Sequence, residues 1–435
     1  MKAILLDGSN VNDTTGERIR TELTAQLKNR GWDVEHIVLR EKKIGNCAGD
    51  FFCWVRNPGV CNINDDNRTI AAAIIASDLM VYLTPVTFGG YSSALKRMAD
   101  HQVQNIMPFF TTVAGETHHK WRYKKYPDFL AVGWMDTADP HAEVVFRHLA
   151  QRNAINFFAG TYISGIVLKG QSDGEILESV QKWLNELQNR QSSQPVSLSA
   201  SSMTVSGITK IQRALLLVGS PRTDKSTSNS LGGYLFERLG AQSIQTETIY
   251  PHTVTRSPAR MQALLDAVDV ADLVTLAFPL YIDSLPAPVI EVLEQIAAHR
   301  KGRETHRQLF TAIANSGFPE AHHNTTALAI CETFARQAGF EWAGSLALGG
   351  GEMVGGLPLS QCGGKTIRIR KSLEMAAAAL VQGQAIPQAA RELMVKPVIP
   401  HWAYRLIGGF GWKKRAKGYG VEKLLKHRPY LAESK

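Results

Sequence analysis

The sequence contains no long hydrophobic run and only five cysteines. No apolar stretch reaches the roughly 18 residues that an α-helix needs to span a bilayer, so no transmembrane helix is predicted. The residues after Met1 form a strand-like pattern, without the basic and then apolar segments of a secretory signal peptide. Five cysteines, three of them clustered, do not resemble the disulfide framework of a small secreted protein. We therefore expect a cytoplasmic protein.

Acidic residues are scarce near the carboxyl end of the chain. The formal net charge is +9, and residues 395–435 hold ten Lys and Arg against two Glu, which is +8 of that total. Because the rest is close to neutral, the basic balance does not predict a nucleic-acid partner for the folded part. With 44% hydrophobic residues in 435 positions, the chain has enough apolar material for two cores.

An internal repeat organises the chain. Leu79–Pro85 is an apolar run of strand length, and Leu273–Pro279 repeats it 194 positions later. The upstream segment Ile4–Ser9 is repeated at Leu215–Ser220, 211 positions later. The two offsets differ by 17 positions, which the insertion containing the three clustered cysteines explains. Apolar runs of this kind are typical of strands buried on both faces of a sheet, so we predict two related α/β domains in tandem.

Composition indicates where the domains begin and end. Residues 190–209 are rich in Ser, Gln and Thr and lack helical or strand periodicity, which is typical of a linker. We therefore predict a first domain at 1–189, a second domain at 210–394 and a basic, aromatic tail at 395–435. The run Ile106–Val113 is predicted to be a further strand of the first domain.

A turn rich in hydroxyl groups follows the first strand. Backbone N–H groups are free at the start of a helix and the helix dipole favours negative charge, so this turn could bind a phosphate. It is neither a Walker loop nor a G-x-G-x-x-G motif. Alternatively, Thr14 or Thr15 only caps the helix that follows. The candidate phosphate contacts are Ser9, Asn10, Thr14, Thr15 and Gly16.

A second turn follows the strand Leu79–Pro85. Ligands of open α/β sheets bind at the carboxyl ends of strands, and glycines there let a flat ligand approach the backbone because no Cβ stands in the way. An ordinary connection between a strand and a helix is the alternative. The candidate contacts are Pro85, Val86, Thr87, Phe88, Gly89 and Gly90.

Two segments carry a resemblance to a known family. Gly219–Arg222 with Ser226–Ser228 resembles the FMN-phosphate loop of the flavodoxin-like NAD(P)H-dependent FMN reductases, which include the iron–sulfur flavoproteins. Pro85–Gly90 with Ser93–Lys96 resembles the loop that holds the isoalloxazine ring in that family. The resemblance covers both domains and implies two flavodoxin-like, doubly wound domains, each with a five-stranded parallel sheet. It marks as FMN contacts in the second domain Ser220, Arg222, Ser226, Ser228, Pro279 and Tyr281.

The two copies depart from the family pattern in different places. The first domain lacks the Pro-Arg pair after Gly8-Ser9, so its threonines become the expected phosphate donors. The second domain has Ile282–Pro286 in place of the glycine-bearing ring loop, and Asp283 would put a charge near a flavin. We therefore expect FMN in the first domain. The second domain is expected to be a weaker FMN site or a helper for dimerisation or substrate.

The clustered cysteines resemble the cluster region of the iron–sulfur flavoproteins. That region has the pattern C-x-x-C-x-x-C, but Asp50 stands at the second position here and leaves Cys47, Cys53 and Cys61. Because iron–sulfur clusters are normally held by four thiolates, we predict no cluster and no metal. A zinc site with three thiolates and one further ligand is the less favoured alternative. We expect a relic loop that packs over the flavin or at a dimer interface.

A basic and aromatic stretch follows the predicted strand at 106–113. If that strand joins the sheet, this stretch begins at the carboxyl edge beside the loop of Phe88, where His118, Lys120 and Arg122 could bind the phosphates of a pyridine nucleotide. A solvated loop is the alternative interpretation.

The tail combines aromatic and cationic residues. We expect its aromatic side chains to dock on the second domain or on a partner subunit; contact with a membrane surface or RNA is the less favoured alternative. These residues are Trp402, Tyr404, Phe410, Trp412 and Tyr419, interleaved with Lys413, Lys414, Arg415 and Lys417.

The function that the resemblance implies is an NAD(P)H-dependent FMN oxidoreductase. A pyridine nucleotide would reduce FMN, which would pass electrons to a quinone, a free flavin, a nitro compound or a protein. We predict no catalytic side chain, because the cofactor carries this chemistry. A homo-oligomer is expected. The alternatives are an FMN-binding electron carrier without pyridine nucleotide activity and a scaffold whose flavin sites have decayed.

Overall fold

The computed structural model describes residues 1–198, residue 205 and residues 210–431, apart from the side chain of Trp402. The chain divides into two units, one of Met1–Ser197 with Arg405–Lys435 and one of Leu198–Tyr404. Half of the predicted linker therefore lies outside the described residues. Among the described residues, no helix is long and apolar enough to cross a bilayer. The predicted domain boundaries at 189 and 210 stay predictions.

The first unit alternates strands and helices. Its strands are Lys2–Asp7 (β1), Asp33–Val38 (β2), Leu79–Pro85 (β3), Ile106–Val113 (β4), Glu116–Trp121 (β5), Asp128–Met135 (β6) and Tyr162–Leu168 (β7). Its helices are Thr14–Asn29 (α1), Phe52–Val55 (α2), Asn67–Ile75 (α3), Ser93–Asp100 (α4), Pro140–Asn156 (α5) and Asp173–Gln188 (α6).

Five of these strands form one parallel sheet in the order β2-β1-β3-β6-β7. The central strand β3 is buried along six of its seven residues, which is why its sequence is an unbroken apolar run. Helices α1 and α6 supply Ile19, Leu23 and Val180 to the core on one face of this sheet. The order is that of flavodoxin-like doubly wound folds, so the predicted fold class is confirmed.

The prediction that Ile106–Val113 continues this sheet is wrong. That segment pairs antiparallel with β5 in a separate hairpin, and β6 takes the place beside β3. The burial of the two strands explains the exchange. All of β6 after its first residue is buried, as a strand covered on both faces must be. Most of β4 after its third residue is partly exposed.

The second unit repeats the architecture. Its strands are Arg213–Val218 (β8), Gln245–Ile249 (β9), Leu273–Pro279 (β10), Leu309–Asn315 (β11) and Glu341–Leu348 (β12). Its helices are Thr227–Gly240 (α7), Pro251–Val254 (α8), Pro258–Val270 (α9), Ala287–Arg300 (α10), Thr325–Gln337 (α11), Ile367–Val381 (α12) and Gln388–Met394 (α13). The parallel sheet runs β9-β8-β10-β11-β12, so the predicted tandem repeat of one fold is confirmed.

The basic tail forms a helix, His401–Gly418 (α14), of which the residues from Arg405 onward belong to the first unit. Trp412, Ala416 and Leu425 are buried there against Cys53 and Trp54 of the cysteine segment. Our expectation that the tail docks on the second domain is therefore wrong for this stretch. The aromatic core of the cysteine segment is small, and the tail completes it.

Candidate functional site

The turn after β1 is closed by a carboxylate. Asp13 caps α1: its Oδ1 accepts a 3.0 Å hydrogen bond from the amide of Gly16, and its Oδ2 accepts one of 2.9 Å from Trp134 Nε1. The helix is therefore capped by Asp13, and not by Thr14 or Thr15 as the sequence suggested. Thr15 is buried in this turn, and Thr14 is exposed.

A second carboxylate lies beneath the same turn. Asp7 is 1% exposed and accepts a 2.8 Å hydrogen bond from the amide of Ser9, and its Oδ2 lies 3.2 Å from His36 Nε2. Burial alone would raise the pKa of this carboxyl, but the hydrogen bonds from His36 and Ser9 hold the pKa below its ordinary value. Asp7 is thus ionised, and Arg20 lies 3.5 Å from it.

A cation that sequence reasoning missed reaches the turn from the end of β2. Arg40 Nη1 donates a 2.9 Å hydrogen bond to the hydroxyl of Ser9, across 31 positions of sequence. Its side chain keeps exposed surface. The first unit lacks the Pro-Arg pair of the second, and Arg40, two residues beyond β2, supplies a guanidinium to its turn. No local motif marks such a residue.

The loop that the resemblance assigns to the isoalloxazine ring, here called the ring loop, is a tight turn that reverses the direction of the chain. Thr87 and Gly90 exchange two backbone hydrogen bonds of 2.9 and 2.7 Å, and the two residues between them have positive φ angles, 55° at Phe88 and 82° at Gly89. Two positive φ angles are typical of a type I′ turn. A Cβ on Gly89 would lie 2.7 Å from the Cβ of buried Val145, so packing alone demands glycine there.

Both turns of the first unit lie together at the carboxyl edge of its sheet. Ser92 links them: its hydroxyl donates a 2.7 Å hydrogen bond to the carbonyl oxygen of Gly8 and accepts one from the amide of Leu95 in the first turn of α4. Thr84 Oγ1 accepts the amide of Ser92 at 2.9 Å. The structure thus brings together the two loops that the sequence analysis selected.

The second unit builds the same ring-loop turn from different residues. Tyr281 and Ser284 exchange hydrogen bonds of 2.9 and 3.1 Å, and φ is 47° at Ile282 and 54° at Asp283. A positive φ at a β-branched residue is strained, at a cost of about 1–3 kcal/mol. The turn starts two residues after Pro279, as in the first unit. The glycine is lost, but the backbone path is kept.

The helix after the phosphate turn of the second unit is capped by a neutral group. Ser226 caps α7 by accepting a 3.1 Å hydrogen bond from the amide of Asn229. Ser228 Oγ accepts a 2.9 Å hydrogen bond from Asn315 Nδ2, and the side chain of Arg222 is exposed. A hydroxyl therefore stands at the start of this helix where the first unit has a carboxylate.

Residues 1–155 match the family model of the NADPH-dependent FMN reductases. The match includes both turns of the first unit and, over these residues, confirms the resemblance to the NAD(P)H-dependent FMN reductases. It covers just over a third of the chain, and the second unit lies outside it. No curated protein sequence matches the chain.

Several solved structures are similar to part of this chain. An FMN-dependent NADH-azoreductase from Bacillus anthracis str. Ames Ancestor is 14% identical with a TM-score of 0.30, over 39% of this chain and 99% of its own. A putative quinone reductase from Klebsiella pneumoniae is 17% identical with a TM-score of 0.30, over 40% of this chain and 87% of its own. An NAD(P)H:quinone oxidoreductase from Methanothermobacter marburgensis is 14% identical with a TM-score of 0.30, over 40% and 96%.

The first unit of this FMN reductase-like chain offers groups suited to FMN. Arg40 and the Ser9 hydroxyl lie at the start of α1, where the first-turn amides have no partner within the helix. The Thr87–Gly90 turn supplies backbone groups at the neighbouring position. The Asp13 carboxylate already accepts the amide of Gly16, so that amide is not among the phosphate donors.

The prediction that Arg122 binds a pyridine nucleotide is wrong. Arg122 is 0% exposed, and its guanidinium donates hydrogen bonds to the carbonyl oxygens of Ile106 (3.0 Å) and His427 (2.6 Å). His118 is also buried, with Nε2 3.1 Å from Glu116 Oε1 and Nδ1 3.0 Å from the Asn156 side chain. Lys120 is exposed, and its assignment stays a prediction.

The cysteine segment is held by its own hydrogen bonds. Asp50, at the position of the missing cysteine, accepts the amide of Phe52 at 2.9 Å, and Cys61 Sγ lies 3.4 Å from His101 Nδ1. Burial raises the pKa of the Cys47 thiol to about 12 and that of Cys53 well above its ordinary value, so both are protonated. Within the described residues, no three metal-ligating atoms of this segment lie within 4.8 Å of one another. The absence of a cluster stays a prediction.

Proposed function

We propose that this chain is an NAD(P)H-dependent FMN oxidoreductase that delivers electrons to a small acceptor such as a quinone or a free flavin. One observation carries the proposal. The segment that matches the FMN reductase family model contains two turns that meet at one sheet edge, where ligands of doubly wound folds bind.

In this proposal FMN is held by the first unit. Its phosphate lies beside Ser9 and Arg40 at the start of α1, and its ring lies against the Thr87–Gly90 turn. When bound, FMN accepts a hydride and releases electrons singly or in pairs. The protein positions the ring through backbone groups and neutralises the phosphate through Arg40. The second unit is a weaker FMN site or a helper unit.

The partners in this proposal are a pyridine nucleotide and an electron acceptor. Lys120 remains the candidate contact for the nucleotide phosphates, because it is exposed whereas Arg122 is buried. A homo-oligomer and a cytoplasmic location remain part of the proposal.

The absorption spectrum of the purified protein, reconstituted with FMN, tests the proposal. We expect flavin bands that bleach when NADPH or NADH is added without oxygen and return when a quinone is added. If no flavin stays bound after reconstitution, the proposal is wrong. If FMN binds and dithionite reduces it but neither pyridine nucleotide does, the chain is an electron carrier instead.

A further inference from the structure

Helix α14 exposes an apolar patch to solvent. Leu406 is 68% exposed, Ile407 56% and Phe410 72%, so three large apolar side chains within five positions face water. Single apolar residues on a surface need no explanation, but a contiguous set is typical of an interaction site. Charged residues of the same helix indicate which kind of partner this patch binds.

The helix is fixed on the first unit by its opposite face. Trp412 is 6% exposed, and its ring centroid lies 5.1 Å from that of Trp54. A Cβ on Gly408 would come within 2.6 Å of the Phe110 ring, so the helix backbone lies directly against β4. Arg415 also donates a 3.1 Å hydrogen bond to the carbonyl oxygen of Asp50. The face that points outward is therefore set by packing.

Lysines lie on the same outward face as the apolar patch. With 3.6 residues per turn, Lys413 and Lys417 follow Leu406 and Phe410 along one side of the helix, and Lys414 follows Ile407 and Phe410. All three lysines are exposed, and the helix sequence contains no acidic residue. An apolar patch continued by lysines is typical of helices that lie in the headgroup region of an anionic bilayer.

We propose that the outward face of α14 docks on the surface of an anionic lipid bilayer. Phe410, Leu406 and Ile407 enter the boundary between headgroups and acyl chains, and the lysines pair with lipid phosphates. Nucleic acid would satisfy the lysines but would leave the aliphatic side chains without a partner. A second copy of this face would bring three lysines against three lysines, which charge repulsion opposes. The proposal does not depend on flavin chemistry.

Co-sedimentation of the full-length protein with vesicles tests the proposal. We expect binding to phosphatidylcholine vesicles that contain phosphatidylglycerol, little binding to pure phosphatidylcholine, and weaker binding as salt is raised. Replacing Lys413, Lys414 and Lys417 together with Gln should weaken binding about 100-fold, because each lysine near an anionic surface contributes roughly a factor of five. Replacing Leu406, Ile407 and Phe410 together with Ser should abolish binding.

A matched control removes the same charge elsewhere on the first unit. The variant with Lys28, Lys169 and Lys182 changed to Gln should bind the anionic vesicles as the wild type does. The near-ultraviolet circular dichroism spectrum of the protein should be nearly unchanged in every variant, since the changed side chains are exposed and the packing of Trp412 is kept. Equal binding by the control and tail variants would overturn the proposal. So would a dimer broken by the serine variant, or RNA binding without vesicle binding.

Discussion

The two units share one backbone plan and differ in the residues that realise it. Both have a five-stranded parallel sheet in the same strand order and a tight turn after the central strand. In the first unit Gly89 occupies the second positive-φ position of that turn, and in the second unit Asp283 does. The glycine of the first unit is required by Val145, whose side chain fills the space a Cβ would take. A glycine in this loop is therefore a packing requirement and only secondarily a sign of a ligand.

The units also differ at the start of their first helices. An aspartate caps α1, and a serine caps α7. Asp7 lies beneath the first of these turns, and Val218 ends the matching strand of the second unit. The first unit thus has two carboxylates and Arg40 where the second has hydroxyls and Arg222. Conserving the turn geometry does not conserve its electrostatics, so the two sites should bind anions differently.

The largest expected effect concerns the contact between Arg122 and the tail, which lies in the first unit. Arg122→Met leaves the carbonyl oxygens of Ile106 and His427 buried without their donor. We expect a loss of about 2–5 kcal/mol in the unfolding free energy of this unit, because each buried carbonyl oxygen left without a donor costs about 1–3 kcal/mol. Limited proteolysis should then cut the tail much faster, with Lys120→Met as the exposed control. If the tail of Arg122→Met resists the protease as well as the wild type does, the hydrogen bonds of Arg122 do not hold it in place.

The next effect tests why the turn of the first unit needs a glycine where that of the second has Asp283. Gly89→Ala forces a Cβ against Val145 at a positive φ, and we expect it to destabilise the first unit by about 2–4 kcal/mol. Gly115→Ala is the matched control: φ is 87° there, but nothing lies within 4 Å of the new Cβ, so only the backbone strain of about 1–2 kcal/mol is expected. Thermal unfolding followed by calorimetry measures both. Equal losses in the two variants would show that packing against Val145 does not demand glycine at position 89.

Arg40→Ala tests which unit binds the phosphate of FMN. A charge-assisted hydrogen bond contributes about 1.5–3 kcal/mol, so we expect the Kd for FMN to rise at least about tenfold. The Kd for riboflavin, which has no phosphate, should not change. Arg222→Ala is the matched change in the second unit and should leave both constants unaltered. The reverse result, with Arg222→Ala weakening FMN, would move the site to the second unit.

The smallest effect is a dependence on pH in the first unit alone. The pKa of Asp7 is lowered by folding, so its stabilising contribution is present above its unfolded pKa of about 3.9 and is lost as pH falls through the folded value. As the pH falls, the unfolding free energy of the first unit should therefore decrease less in Asp7→Asn than in the wild type. Tryptophan fluorescence between about pH 5 and pH 2 follows this. Parallel stability curves for the two proteins would contradict the assignment.

The sequence predicted the repeated part of the molecule well because that part is local. The apolar run Leu79–Pro85 and its copy must be central strands, and the turns that follow them were placed correctly. The choice between Ile106–Val113 and Asp128–Met135 as the next strand could not be made the same way. Both are apolar enough to pair, and only the surroundings decide which one is covered on both faces.

Contacts between distant parts of the chain could not be predicted, because no local pattern marks them. Arg40 reaches Ser9 across 31 positions and Arg122 reaches His427 across 305, and no short motif encodes either distance. Helix α14 was missed because it contains four glycines, which disfavour a helix. Its contacts with the Trp54 region outweigh that local preference.

The clamp between Arg122 and the carbonyl of His427 has a consequence for the order in which the protein is made. The second unit lies between these residues in sequence. After Arg122 has been added to the nascent chain, about 300 more residues must follow before this contact can form. At roughly 5–20 residues per second, this takes on the order of 15–60 s. During that interval the cysteine segment lacks the tryptophan, alanine and leucine that complete its core. Nascent chains should therefore expose this segment to chaperones and oxidants until the last turns of the tail have emerged.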